Sequence, residues 1–459
     1  MPSAEASKQV EAPLGSARSA SIAGVAEQLH TYETTFAKTR IPIPVNFREL
    51  AGRLSFDRLT HLIHPYPAKL LPHIPHYLLR SHYFSSVDSI ILDPFCGSGT
   101  VLLEVLANGK QALGADSNPL ARLISRVKIR QLDIARLDRA TKSLFRNLNR
   151  DSIPRQPYPD VVNIDYWFVP STKRQLSAIR ERVAAESDTG IREFFEVAFS
   201  CCVRNVSLAD PRLSVPVRLR PDKYSRNTPH GRRTLDTFRR LQDIDVVECY
   251  KEIVAKNRRR LVATAPFFRA DPSILTDSRT LGLADGSIDG IISSPPYVSA
   301  QKYIRATSLS LGWLGLAQTS DLRRLEDANI GREHHRSADY QSNTIVPMVA
   351  HDVLQRIASK NPLRAHIAAT YLVEMADAIR EMLRVLRPAA HAVLVVGNNT
   401  VAGEHFNTAG YIAEIVERLG AKLLLVLDDC IRGRGLLTSR HDTAGLITHE
   451  SVLIFRKDP

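Results

Sequence analysis

Residues 90–130 constrain this chain more than any other stretch. They open with IILDPFCGSGT, an apolar run that stops at an acid, passes through a glycine-rich turn and starts a helix. That helix, TVLLEVLANG, begins at Thr100 and meets a glycine cap at Gly109. QALGAD follows as a second strand ending at Asp116, and Ser117-Asn118-Pro119 supplies polar caps and a first-turn proline for another helix. Strand, helix, strand, helix in so short a span predicts a parallel α/β sheet.

The α/β pattern does not run on unbroken. Residues 131–268 read mostly as helices. STKRQLSAIRERV places Leu176, Ile179 and Val183 on one face, GIREFFEVAFSCCV is apolar throughout, and a further helical period runs through Phe238, Leu241 and Tyr250. Strand signals return at SILTDSRTL (273–281) and DGIISSPPY (289–297). An amphipathic helix over about 365–387 stops at Arg387-Pro388, and HAVLVVG, AKLLLVLD and ESVLIFRK read as later strands. The organisation predicted is a disordered tail over 1–40, a first α/β part over 41–130, a helical basic insertion over 131–268 and a second α/β part over 269–459. The tail rests on the Ser/Ala/Gly bias of the N-terminus.

Of the 459 residues, 44% are hydrophobic and 24% charged, enough for a sizeable core. No run approaches the roughly 18 apolar residues of a membrane helix, so neither a membrane nor an export signal is expected, and the cytoplasm is. Five cysteines show no Cys-x-x-Cys spacing, and His334-His335 lack a third ligand, so no metal is expected. The net charge of +13 points to a polyanionic partner. Residues 204–240 concentrate it: ten Lys or Arg stand against three Asp, a net of +7. Arg218, Arg220, Lys223, Arg226, Arg232 and Arg233 lie there, and Arg305 lies in a second basic segment, 298–345, with Tyr303, Arg323, Arg324 and Arg332. Such residues suit phosphate contacts.

The turn DPFCGSGT lets backbone N–H groups approach a ligand closely. It lacks the Gly-Lys-Ser/Thr ending of a phosphate loop. An acid such as Asp116, at the end of the second strand, accepts hydrogen bonds from a ribose diol. In ISSPPY, two prolines fix the backbone and remove N–H donors, and an aromatic ring follows them.

DPFCGSGT followed by GADSNP resembles the S-adenosylmethionine motif of class I methyltransferases. ISSPPY resembles the catalytic motif of the DNA amino-methyltransferases, and HPYPAKLLPHIP resembles the segment that closes over the methionine end of the cofactor. The resemblance covers roughly residues 50–130 and 270–459. It implies a doubly wound, mostly parallel seven-stranded sheet with a helical insertion. It implies S-adenosyl-L-methionine as cofactor, held by Tyr66, Lys69, Asp93, Pro94, Phe95, Cys96, Gly97, Ser98, Gly99, Thr100, Asp116, Ser117 and Asp277. It implies catalysis at Ser294, Pro295, Pro296 and Tyr297, and double-stranded DNA as partner, with a cognate restriction endonuclease as a further one.

A serine before Pro-Pro-Tyr is more typical of cytosine-N4 enzymes, and Asp or Asn of adenine-N6 enzymes. Cytosine-C5 chemistry needs a nucleophilic cysteine after a proline, and no cysteine here has that context. Two other readings stay open: an RNA guanine-N2 methyltransferase, and a non-enzymatic DNA-binding protein on the same fold.

Overall fold

The structure is a computed structural model. It describes residues 22–264 apart from 53, 56 and 87, and residues 274–298, 302–341, 349–431 and 448–459. Ten strands run in chain order: β1 (Ile43–Val45), β2 (Ile90–Asp93), β3 (Gln111–Ala115), β4 (Ile274–Leu275), β5 (Ile288–Ser293), β6 (Leu386–Val396), β7 (Asn399–Val401), β8 (Glu404–Phe406), β9 (Ala421–Cys430) and β10 (His449–Lys457). β7 and β8 pair as a small hairpin, and the rest form one sheet in the order β1-β9-β10-β6-β5-β2-β3-β4. Only β10 is antiparallel to its neighbours. The sheet is thus doubly wound and mostly parallel. It has eight strands among the described residues rather than the expected seven, because β1 adds an edge beside β9.

The helices are α1 (Ile22–Thr39), α2 (Phe47–Leu50), α3 (His73–Leu78), α4 (Thr100–Ala107), α5 (Pro119–Ile129), α6 (Ile134–Phe145), α7 (Ile164–Trp167), α8 (Pro170–Ala184), α9 (Thr189–Val206), α10 (Pro229–Gln242), α11 (Val246–Thr264), α12 (Tyr303–Leu314), α13 (Leu322–Asp327), α14 (Ser337–Gln341), α15 (His351–Lys360), α16 (Pro362–Val385) and α17 (Thr408–Arg418). The chain order reverses at the β2–β5 junction: β3 and β4 lie to one side of β2, and β5 and β6 to the other. Ligands of open α/β sheets bind outside the carboxyl ends of the strands at such a point.

The predicted tail over 1–40 needs correcting. Residues 22–39 form α1, which buries Val25, Leu29 and Phe36 in the main core. Composition misled here because the Ser/Ala/Gly bias belongs to the segment before the helix, whereas Val25, Leu29, Tyr32 and Phe36 recur at helical spacing. Residues 1–21 lie outside the described residues. The long helix also ends earlier than expected, at Val385, and Arg387-Pro388 already belong to β6.

The insertion shares its core with the sheet domain. Phe194, Phe195, Phe199 and Cys202 of α9 pack in one cluster with Leu123 and Ile124 of α5 and with Leu309 and Trp313 of α12. That cluster bolts the insertion onto the two helices that flank the glycine turn and the SPPY motif.

Candidate active site

β2 ends at Asp93, and the chain then turns through Gly97 (φ +50°) and Gly99 (φ +74°) before α4 begins. Both glycines hold left-handed backbone that side chains disfavour. A Cβ on Gly99 would also stand 3.0 Å from Ser125 Oγ. The turn presses closely on α5, where Ser125 Oγ donates to the Gly97 carbonyl at 2.8 Å.

Asp116, just past β3, is held by that turn. Its carboxylate accepts the Gly97 N–H at 2.9 Å and the Asn118 N–H at 2.8 Å. Each oxygen keeps a further lone pair for an incoming hydroxyl. Burial pushes the carboxyl up to about 6, with those two N–H groups opposing. Asp93 is more extreme. Burial raises it to about 7 against hydrogen bonds from Ser293 Oγ (2.6 Å) and the Phe95 N–H (3.1 Å). The Ser293 bond ties β2 to β5, and so the glycine turn to the SPPY motif. Sequence reasoning named Ser294 and passed over Ser293, although the doubled serine was a visible signal.

A cleft of about 630 Å³ opens at the carboxyl ends of these strands. Tyr66, Pro94, Phe95, Gly97, Asp116, Ser117 and Asp277 line it together with Ser294 and Pro296. Two stretches far apart in sequence, the glycine turn and the SPPY motif, therefore share one cavity. Burial pushes Asp277 up, but Arg279 outweighs it with side-chain bonds of 3.0 and 2.9 Å and holds the carboxyl below its ordinary value. The Tyr66 hydroxyl accepts from Asn118 Nδ2 at 3.2 Å.

The other predicted cofactor residues do not line this cleft. Asp93, Cys96, Ser98, Gly99 and Thr100 are buried in or behind the turn. The Cys96 thiol packs 3.7 Å from Ser125 Oγ, and Ser98 lies 3.5 Å from Lys128 Nζ. Lys69 sits with Thr100 on a separate cavity, and its Nζ donates to the backbone carbonyls of His61 and His64. Burial lowers Lys69 to about 8.

Pro295 is buried behind Pro296. The Tyr297 hydroxyl donates to Glu450 Oε1 at 2.8 Å, which fixes the ring against β10. Sequence reasoning missed Ser278, Ala328, Asn329 and Ile330 in the cleft wall, and it gave Tyr303, also in that wall, to DNA. Asn329 Oδ1 accepts from Ser117 Oγ at 2.9 Å. No motif marks residues 328–330, which follow α13 directly and reach the cleft through the tertiary fold.

Of the basic residues, Arg220, Lys223, Arg226, Arg232, Arg233 and Arg305 are exposed. Arg220 pairs with Asp222 at 3.5 Å, and Arg218 lies half-buried over the Tyr166 ring. Arg204 turns inward and caps the Asp210 carbonyl at 3.0 Å. Arg332 is drawn into an ion pair with Glu374. Among the described residues no group of His, Cys, Asp and Glu could cage a metal, and no helix is long and apolar enough to cross a membrane.

The cleft residues fit S-adenosylmethionine. Asp116 offers ribose acceptors, and Pro94, Phe95 and Ile330 offer apolar walls. The cleft thus lies at the carboxyl ends of β2, β3 and β5, where the strand order reverses, as ligand sites of open α/β sheets do.

The sequence model of a DNA methylase family, the N6/N4 type, matches residues 4–125. The chain is 24% identical to the type II methyltransferase M.MvaI of Kocuria varians, over 78% of this chain and 81% of that protein. It is 27% identical to the type II methyltransferase M.MjaII of Methanocaldococcus jannaschii, over 44% of this chain and 40% of that protein. Among solved structures, a SAM-dependent methyltransferase from Methanosarcina mazei overlaps 85% of this chain and 99% of its own, at 11% identity and a TM-score of 0.31. The chain thus resembles DNA methylases of the N6/N4 type and type II methyltransferases.

Proposed function

We propose that the protein methylates an exocyclic base amine in double-stranded DNA at a specific short site, cytosine N4 first and adenine N6 second. The observation that carries this reading is the sharing of one cleft by Asp116, Asp277, Ser294 and Pro296. S-adenosylmethionine supplies an electrophilic methyl group when bound. Asp116 accepts from the ribose hydroxyls, Tyr66, Pro94 and Phe95 wall the cofactor in, and Asp277 stands on its adenine side.

An exocyclic amine is a poor nucleophile because its lone pair is delocalised into the ring. The base must also leave the stack, at a cost of a few kcal/mol. Ser294 Oγ and the backbone carbonyl beside it accept from the amine N–H groups and favour a pyramidal nitrogen. Pro295 and Pro296 remove competing donors. The Tyr297 ring, anchored through Glu450, stacks on the base for roughly 1–3 kcal/mol. Positioning supplies much of the acceleration, for which about 7–11 kcal/mol is available in principle. The serine before Pro-Pro-Tyr favours cytosine N4. On this reading the enzyme works in the cytoplasm, and a cognate endonuclease is a partner.

The test mixes the protein with labelled S-adenosylmethionine and, separately, unmethylated duplex DNA and bulk transfer RNA. The products are digested to nucleosides and weighed by mass spectrometry. N4-methylcytosine in DNA is the result expected. N6-methyladenine keeps the mechanism and corrects the base. Methylguanosine in RNA alone overturns the proposal.

A further inference from the structure

A second concavity, of about 1150 Å³, opens between the insertion and the segment that follows the SPPY motif. Tyr166, Trp167 and Arg218 form one wall, and Arg305 of α12 and Arg323 of α13 form the other. The elements of that second wall also reach the cofactor cleft. Tyr303 lines the cleft, and Ile304 and Arg305, the next residues along α12, line the groove. Likewise Glu326 lines the groove, and Ala328, just past α13, lines the cleft. The two spaces are separated by the thickness of a helix.

The groove combines fixed guanidinium groups with an exposed aromatic ring. Tyr166 is 43% exposed, and its ring meets Trp167 edge-on at 4.9 Å. The Arg218 guanidinium lies 4.6 Å from the Tyr166 ring centre and donates to the Tyr166 carbonyl, so it is held in place. Arg323 is steadied by Asp327 at 3.1 Å and by the His334 carbonyl at 3.3 Å. Arg305 is exposed. The acid in the groove, Glu326, is already engaged by His334 at 2.7 Å. Guanidinium groups beside a partly exposed aromatic ring, one face of which carries Arg218, suit a nucleic-acid strand, with phosphates on the cations and a base against the exposed part of the ring.

We propose that this groove holds the DNA strand beside the extruded nucleotide, with Arg218, Arg305 and Arg323 on phosphates and Tyr166 as a stacking face. The assignment rests on the DNA-methyltransferase reading. It gives target contact to the joint between the insertion and the 303–334 segment, and gives Arg232 and Arg233 on α10 no share of it.

The test uses the full chain and a fluorescent duplex, with affinity measured across a salt series. Replacing Arg305→Gln and Arg323→Gln together removes two contacts, so the slope of log affinity against log salt shallows by about 1.8. Replacing Arg305→Lys and Arg323→Lys keeps the slope. Changing Arg232→Gln and Arg233→Gln leaves it untouched. Tyr166→Ala weakens binding about 5- to 150-fold with the slope unchanged. An S-adenosylmethionine titration on each variant confirms that it is folded. If the wild type binds and methylates duplex DNA while the Arg305/Arg323 variant keeps its slope and affinity, the groove is overturned and the function stands. A slope loss found in the Arg232/Arg233 variant instead also overturns the groove. A wild type that neither binds nor methylates duplex DNA overturns both.

Discussion

Asp93 and Glu104 flank the same glycine turn, and both are buried, yet the protein treats them in opposite ways. Glu104, on α4, accepts from Arg58, from His61 Nε2 at 2.7 Å and from His76 Nδ1 at 3.1 Å. Burial alone would push its carboxyl up, but these donors hold it down at about 2. Among the described residues Asp93 accepts from a serine hydroxyl and a backbone N–H, and burial carries it to about 7. Asp116 follows Asp93, at about 6. Glu104 clamps the 54–82 segment, which carries Tyr66, onto α4. Asp93 and Asp116 are left under-compensated beside a cleft, a state that marks functional acids more often than structural ones.

The largest expected effect tests the clamp. Glu104→Ala strips a buried ion cluster of its anion and should cost about 3–5 kcal/mol in chemical denaturation. A loss below about 1 kcal/mol would mean that Glu104 is not the anchor drawn here. Asp116→Ala comes next. Losing its hydrogen bonds to the ribose should weaken S-adenosylmethionine binding by about 10- to 100-fold, since bonds to a charged group are worth about 1.5–3 kcal/mol. Tyr297→Ala should slow methyl transfer by about 5- to 150-fold and leave cofactor affinity unchanged. Equal loss of cofactor affinity would remove its assignment to the base.

The smallest effect is the sharpest test of the contrast, because the two acids should respond to pH with opposite signs. Asp93 has a folded-state value of about 7, above its ordinary 3.8. The native protein therefore binds the extra proton between those values, and the Asp93 contribution falls as pH rises from about 4 to 7. Asp93→Asn should be least harmful at pH 8, where the wild type carries the buried charge. Glu104 lies below its ordinary 4.5, at about 2. Its contribution is present above about 4.5 and lost as pH falls toward 2, so the cost of Glu104→Gln should shrink in acid. Denaturation of both variants at pH 4 and pH 8 reads the two signs, and parallel trends would erase the contrast.

Much of the cleft was legible in the sequence because its chemistry sits on short, local patterns. Gly97 and Asp116, which line it, and Asp93 and Gly99, which are buried behind it, follow from a strand, a turn and a second strand whose register brings Asp93 beside Gly114. Ser294 and Pro296 follow from a strand that ends in prolines. What stayed hidden depends on long-range packing. Asn329 reaches Ser117 from 212 residues away. Lys69 lies three positions after Tyr66, yet its amine turns back to the His61 and His64 carbonyls and leaves the cleft to Tyr66 and Ala68. Nothing in its spacing told which way it would point. The second groove also escaped, since Tyr166, Arg218 and Arg305 meet only once the insertion has docked on α12.

The central claim is that the cleft between the glycine turn and SPPY binds S-adenosylmethionine and presents it to the base side. Calorimetric titration of S-adenosylmethionine into the wild type, Asp116→Ala and Tyr297→Ala tests it most directly. The account predicts one site per chain, at least about tenfold weaker binding in Asp116→Ala, and wild-type affinity in Tyr297→Ala. No binding to the wild type, or an unchanged affinity in Asp116→Ala, would contradict it.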